Sequence, residues 1–115
     1  MRRGEIRLVD LDPVRGAGAS KRRPAVIVSN DGANATAQRL GRGVITVVPV
    51  TSNVERIYPF QVLFRADETG LKVDSKAQAE QIRSVAVERI GPRVGVIRAE
   101  TSVALDEAIR LHLAL

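Results

Sequence analysis

The hydrophobic pattern of the chain changes period once, and that change limits the architectures open to it. Up to about residue 85 the apolar residues come in short β-branched or alternating runs punctuated by Gly, Pro, Asn and Asp. From about Glu100 they recur at Leu105, Ile109 and Leu113, joined by Ala104, Ala108 and Leu111. The first spacing is that of strands and the second that of an amphipathic helix. Several short strands and one terminal helix predict a mainly β, α+β fold: a small, strongly curved antiparallel sheet or barrel with the helix lying on it. At 115 residues and 44% hydrophobic content, the chain reads as a single domain, residues 1–115, able to bury a core.

Ile6, Leu8 and Val9-Asp10-Leu11 predict a strand closed by Asp12-Pro13, followed by a loop containing Gly16, Gly18 and Ser20. Pro24 leads into Ala25-Val26-Ile27-Val28, a buried strand ending at Ser29-Asn30-Asp31-Gly32, and Ala33 to Leu40 suits one or two helical turns. Val44-Ile45-Thr46-Val47-Val48 is the strongest strand signal, and Pro49 sets its end on an edge or at a bulge. Phe60, Val62 and Phe64 alternate with polar neighbours, predicting a half-buried strand with its aromatics inward, separated by Gly70-Leu71 from the next strand. Lys72 to Val85 alternates more weakly, with Ala77 and Ala79 on one face and Lys76, Gln78 and Glu80 on the other. Thr101 or Ser102 is the expected cap of the terminal helix.

Composition removes several chemistries. Without cysteine there is no disulfide framework, cysteine nucleophile, thiolate zinc site or iron–sulfur cluster. A single histidine, His112, excludes paired-histidine acid–base catalysis within one chain. The loop from Gly16 to Lys21 lacks a glycine directly before its lysine, so it is not a phosphate loop, and it does not complete a dinucleotide-binding fingerprint. Asp10 and Asp12 would share a strand face, yet no third carboxylate is near them in sequence, so neither metal nor cofactor is expected. The opening Met1-Arg2-Arg3-Gly4-Glu5 has no apolar stretch of a signal peptide, and no run is long enough to span a membrane, which predicts a soluble cytoplasmic protein.

The formal net charge is +5, and the whole excess lies in the first 42 residues, where nine basic residues face four acidic ones. Its densest point is Lys21-Arg22-Arg23. Such a patch attracts phosphates, or it is a solvated loop that aids solubility. Three aromatics, Tyr58, Phe60 and Phe64, are too few for rows of base-stacking platforms. What remains is a phosphate-oriented set: Arg23 after a glycine loop, the hydroxyls of Thr51 and Ser52 past a strong strand, and the polar residues at 76–80. An arginine fork matches phosphate oxygens and stays charged, but it is a poor base. The set suits metal-independent attack of an RNA 2′-hydroxyl on the adjacent phosphate, because the substrate brings its own nucleophile.

These residues have a familiar arrangement. The opening Arg3-Gly4-Glu5-Ile6-Arg7-Leu8-Val9-Asp10-Leu11-Asp12-Pro13 is followed by Lys21-Arg22-Arg23-Pro24-Ala25-Val26-Ile27-Val28-Ser29-Asn30. Val48-Pro49-Val50-Thr51-Ser52 and Gln81-Ile82-Arg83-Ser84 with Glu88-Arg89 come next. In order and spacing the chain resembles the MazF/PemK toxins of bacterial toxin–antitoxin systems. The resemblance implies an SH3-like barrel with a C-terminal helix, a homodimer, and an endoribonuclease cutting single-stranded RNA at short motifs without metal. The products would be a 2′,3′-cyclic phosphate and a 5′-hydroxyl. It further implies a cognate antitoxin whose disordered acidic tail meets the basic patch.

Carried over by position, the resemblance gives Arg23 the main catalytic role and Thr51 the holding of the phosphate. Without it, Arg23 reads as a loop arginine and Thr51 as a hydroxyl capping a strand end. The accompanying RNA-binding candidates are Lys21, Arg22, Ser52 and Asn53 near these two, and Lys76, Gln78, Glu80 and Arg83 further along. The chain departs from some members in having Ala17, Gly18 and Ala19 where they place a loop histidine or glutamate. It also has Gln78 and Glu80 where they carry an arginine and an aspartate. Two other readings stay open: a non-catalytic toxin binding a protein such as DNA gyrase, and an RNA-binding module. The Arg23 and Thr51 pair separates the first from a nuclease, since a gyrase binder has no need of it.

Overall fold

The apolar runs at Ala25-Val26-Ile27 and Val47-Val48 are continuous because both faces of the sheet that holds them are covered. The computed structural model describes residues 1–11 and 22–115, so the Asp12-Pro13 turn, the glycine loop and Lys21 lie outside the described residues. Seven antiparallel strands are seen among them: β1 (Glu5–Asp10), β2 (Arg22–Ile27), β3 (Val44–Thr51), β4 (Gln61–Phe64), β5 (Ser75–Gln78), β6 (Arg83–Ala86) and β7 (Ile90–Val96). Their order is β4-β5-β3-β2-β1-β7, with β6 paired to β3. The helices are α1 (Asp31–Leu40), the single turn α2 (Ala66–Thr69) and the C-terminal α3 (Ala99–Leu113). None is long and apolar enough to cross a membrane.

Alternate residues divide the core in two. Ile6, Val26, Val48 and Phe64 pack with Leu105 and Ala108 of α3, whereas Val9, Ile27, Ile45 and Val47 pack with Ala37 of α1. The expected sheet under a terminal helix is therefore present, with a second helix closing the other face. That helix is longer than the one or two turns expected. The Asn30 side chain accepts from the Ala33 N–H at 2.8 Å, and Gly41, at φ 67°, ends the helix by donating to Ala37 and Gln38 carbonyls.

Asn34 on α1 is fully buried and tied to the end of β2: its Nδ2 donates to the Ser29 carbonyl at 2.9 Å, while Ser29 Oγ donates to its Oδ1 and accepts from Thr46 N at 3.1 Å. Asn34→Ala leaves these groups unpaired and is expected to cost about 2 kcal/mol. A lower urea midpoint at unchanged m-value checks this.

Pro49 is at neither an edge nor a bulge. It lies inside the central strand, where β3 changes partner on one side: Val44–Val47 pair with β6, and Val50–Thr51 with β5. Thr46 bonds toward β2 through both its N–H and its carbonyl, so alternation turns Val47 and Pro49 toward the β5/β6 side. The missing N–H falls where no ladder partner is available, which is why a proline is tolerated there. The same break splits the single strand expected from Lys72 to Val85. A 3-10 turn at Ala79–Gln81 separates β5 from β6, and Lys76, Gln78 and Glu80 do not form one solvated face.

Three further expectations shift. Phe60 precedes β4 and stacks on Tyr58, so only Val62 and Phe64 point inward. The α3 cap is Arg98, without a side-chain bond, and Thr101 and Ser102 lie inside the helix. Leu105 and Ala108 are buried, but Leu111 and Leu113 are exposed, because the packing of α3 on β4 and the Ala79–Gln81 turn does not cover its last turn. The strand β7 had no sequence signal: Gly91, Pro92 and Gly95 interrupt its alternation.

Candidate active site

The register of β2 against β3 brings the two main candidates together. Ala25 pairs with Pro49, Val26 with Val48 and Ile27 with Val47; continued by two residues, that register sets Arg23 opposite Thr51. The ladder stops at Ala25; beyond it Val50 and Thr51 pair with β5 on the other side of β3, while Arg22 and Arg23 stay paired to Asp10 and Val9 of β1. The strands splay, and a cavity of about 570 Å³ opens between them, within the usual range for small-ligand sites. Arg23, Thr51, Ser52 and Lys72 supply its polar lining together with Ser75. Leu8, Pro24, Val50, Leu71, Val73 and Val94 supply the apolar walls.

Arg23 and Lys72 are exposed, and neither makes a side-chain hydrogen bond or ion pair among the described residues. Other cations are neutralised: Arg2 by Asp31 at 3.8 Å, Arg3 by Asp106 at 2.7 Å and Arg7 by Glu5 at 3.0 Å. Near the cavity Arg65 pairs with Asp67 at 2.9 Å, a hydrogen bond that raises its pKa further above the ordinary arginine value. Of the N-terminal basic residues that lie in the described strands, Arg7 is thus paired, and Arg22 and Arg23 are uncommitted among the described residues. Among the described residues lining the cavity there is no carboxylate and no imidazole, so nothing there repels a phosphate.

Thr51 Oγ1 accepts from the Asn53 N–H at 3.3 Å, which leaves the hydroxyl proton free to donate. Asn53 itself shapes the turn, its Oδ1 accepting from Glu55 N at 3.3 Å, and does not line the cavity. Arg22 lies outside the cavity, its guanidinium over Gly91: a Cβ there would sit 2.8 Å from Arg22 Nη1 and 2.7 Å from the Leu8 carbonyl. Lys21 is outside the described residues.

The remaining candidates do not line the cavity. Lys76 is buried, and its Nζ donates to the Arg56 carbonyl at 2.6 Å. Gln78 is paired across to Gln61, whose Nε2 donates to Glu80 Oε2 at 2.7 Å; Glu80 Oε1 is buried without a partner among the described residues. Arg83 on β6 donates to the Gln81 carbonyl and side chain, both at 3.3 Å. Sequence reasoning missed Lys72, Leu71 and Val94, which come from a loop and a strand with no distinctive pattern. Among the described residues no three His, Asp or Glu side chains gather as metal ligands.

A family model described as a PemK-like, MazF-like toxin of type II toxin–antitoxin systems matches residues 2–113. The chain is 66% identical over 115 residues to "Endoribonuclease MazF9" of Mycobacterium tuberculosis (strain ATCC 25618 / H37Rv), covering 100% of this chain and 98% of that protein. It is 29% identical over 116 residues to "Endoribonuclease EndoA" of Bacillus subtilis (strain 168), covering 100% and 96%. Of solved structures, the Mycobacterium tuberculosis toxin MazF-mt6 matches with a TM-score of 0.77 at 26% identity over 96% of this chain and 97% of that one. An endoribonuclease in complex with its cognate antitoxin, from Mycobacterial species, matches with a TM-score of 0.76 at 23% identity over 100% and 96%, a likeness of fold.

Proposed function

The chain belongs to the PemK-like, MazF-like toxins of type II toxin–antitoxin systems, and on that premise we propose that it is a single-domain, metal-independent endoribonuclease of single-stranded RNA. The observation that carries the proposal is the splay of β2 from β3, which turns Arg23 and Thr51 toward one cavity. A scissile phosphate seated there meets the Arg23 fork, the Thr51 hydroxyl and the Lys72 ammonium. The 2′-hydroxyl loses its proton, its oxygen bonds to the adjacent phosphorus, and the bond to the 5′-oxygen breaks. That oxygen takes up a proton, leaving a 2′,3′-cyclic phosphate and a 5′-hydroxyl. Charge gathers on the phosphoryl oxygens in between, where fixed donors stabilise it.

The protein acts in this proposal as a cytoplasmic homodimer, held in check by an antitoxin whose acidic tail competes with RNA for Arg22, Arg23 and Lys72. The experiment is incubation with a long single-stranded RNA in excess EDTA. Cuts bearing 2′,3′-cyclic phosphate ends are expected, and an all-deoxy strand of the same sequence should bind but stay whole. Intact RNA overturns the nuclease reading in favour of a protein-binding toxin. Lys72→Met is expected to slow cleavage about tenfold, and to lower the slope of log affinity against log salt by about 0.7, the value for one phosphate contact on a single strand. Binding titrations across salt concentrations check the second figure.

A further inference from the structure

The segment between β3 and β4 holds an aromatic pair, exposed at Tyr58 and partly buried at Phe60, for which the catalytic cavity has no use. Tyr58 and Phe60 stack with ring centroids 5.5 Å apart and planes 4° apart, and Tyr58 is 41% exposed. Contacts of the pair and of its neighbours hold it in place. Tyr58 N–H donates to Gln61 Oε1 at 3.1 Å, and Gln61 is held by Glu80 at 2.7 Å. Lys76 Nζ donates to the Arg56 carbonyl at 2.6 Å, and Phe60 leans on His112 at 6.5 Å. Two cations flank the tyrosine: the Arg56 guanidinium lies 5.7 Å and the Lys76 ammonium 5.9 Å from its ring centroid. The pair is also continuous with the cavity, because Lys76 is the cross-strand partner of Thr51.

An aromatic surface held still, half open to solvent and ringed by positive charge suits a flat group attached to phosphate. We propose that Tyr58 with Phe60 is the stacking seat for one unpaired nucleobase of the RNA next to the cleaved bond, a proposal that rests on the nuclease reading. Arg56, exposed and with its guanidinium hydrogen-bonded, among the described residues, to the Tyr58 hydroxyl at 3.3 Å, swings aside to the phosphate joining that base to the scissile nucleotide. Lys76 is a positioning residue: it touches no RNA and fixes the backbone that carries the seat.

The protein contains one tyrosine and no tryptophan, so its intrinsic emission reports on Tyr58 alone. The probe is a short RNA spanning a mapped cut, with 2′-deoxyribose at the scissile residue so that it binds uncut. Its absorption is corrected against free N-acetyltyrosinamide. Saturable quenching of tyrosine emission by at least twofold is expected. Tyr58→Leu should raise KM about tenfold with kcat within twofold, in the range of one lost base stack, and Tyr58→Phe should restore KM. If the labelled RNA binds by anisotropy while emission is unaltered, or Tyr58→Leu leaves KM in place, the seat is overturned and the nuclease stands. If the unmutated protein neither binds nor cuts RNA, both fall.

Discussion

Arg23→Ala should slow RNA cleavage about 10²–10³-fold, the loss that follows removal of one preorganised donor to a developing oxyanion. The fold should survive it. Arg23 is exposed, its side chain bonds to nothing among the described residues, and its place in β2 depends on backbone pairing with Val9; such surface changes usually stay within about 0.5 kcal/mol. Arg23→Lys should recover only part of the rate, because an ammonium keeps the charge but not the bidentate fork. Single-turnover cleavage of a defined RNA, alongside a thermal melt, separates the two effects. A rate for Arg23→Ala within tenfold of the unmutated protein would place the chemistry outside this cavity.

Gly95→Ala should cost about 3 kcal/mol and disturb the cavity from behind. A Cβ on Gly95 would sit 2.6 Å from the Thr69 carbonyl oxygen and 3.4 Å from Ile6 Cδ1. The first is a backbone atom at the end of α2 and the second a fully buried core residue, so neither yields as the tip of a flexible side chain would. Overpacking of this kind typically costs about 1–3 kcal/mol, and backbone contact puts Gly95 at the upper end. The position needs glycine for close approach alone. Because α2 leads directly into Gly70, Leu71, Lys72 and Val73 of the cavity lining, the shift should also lower cleavage in the fraction that remains folded. A lower urea midpoint with reduced specific activity checks both parts, and Val94→Ala, which trims the same wall without crowding Thr69, serves as the comparison.

Much of the fold could be read from pattern because its strongest elements are local. The β-branched run at Val44–Val48, the alternation at Val62 and Phe64, and the helical spacing of Leu105 and Ala108 each state their own period. Elements whose signal is punctuation were read less well. Asn30 and Gly41 bracket a full helix where the apolar pattern alone predicts one or two turns, and β7 is broken by its glycines and proline. The candidate site shows the same division. Arg23, Thr51 and Ser52 come from recognisable stretches and line one cavity, whereas Lys72 comes from a turn with no pattern of its own. Lys76, singled out as part of an exposed polar face, is buried and bonded to the Arg56 carbonyl. An alternating pattern predicts sides, and it does not foresee a strand that stops after four residues.

The sequence by itself determined the strand-then-helix architecture, the absence of cysteine chemistry, the scarcity of histidine, and the crowding of positive charge toward Arg23. All of these are properties of residue type and short-range spacing. Only the tertiary structure decided which of those charges are uncommitted, since Asp31, Asp106 and Glu5 take up Arg2, Arg3 and Arg7. It alone decided, too, that Arg23 and Thr51 line one cavity, and that Tyr58 stacks on Phe60 beside Arg56 and Lys76. The reason is that these arrangements depend on strand register and on the switch of β3 from β6 to β5 at Pro49. Both are settled by packing between segments distant in the chain, where local periodicity carries no information.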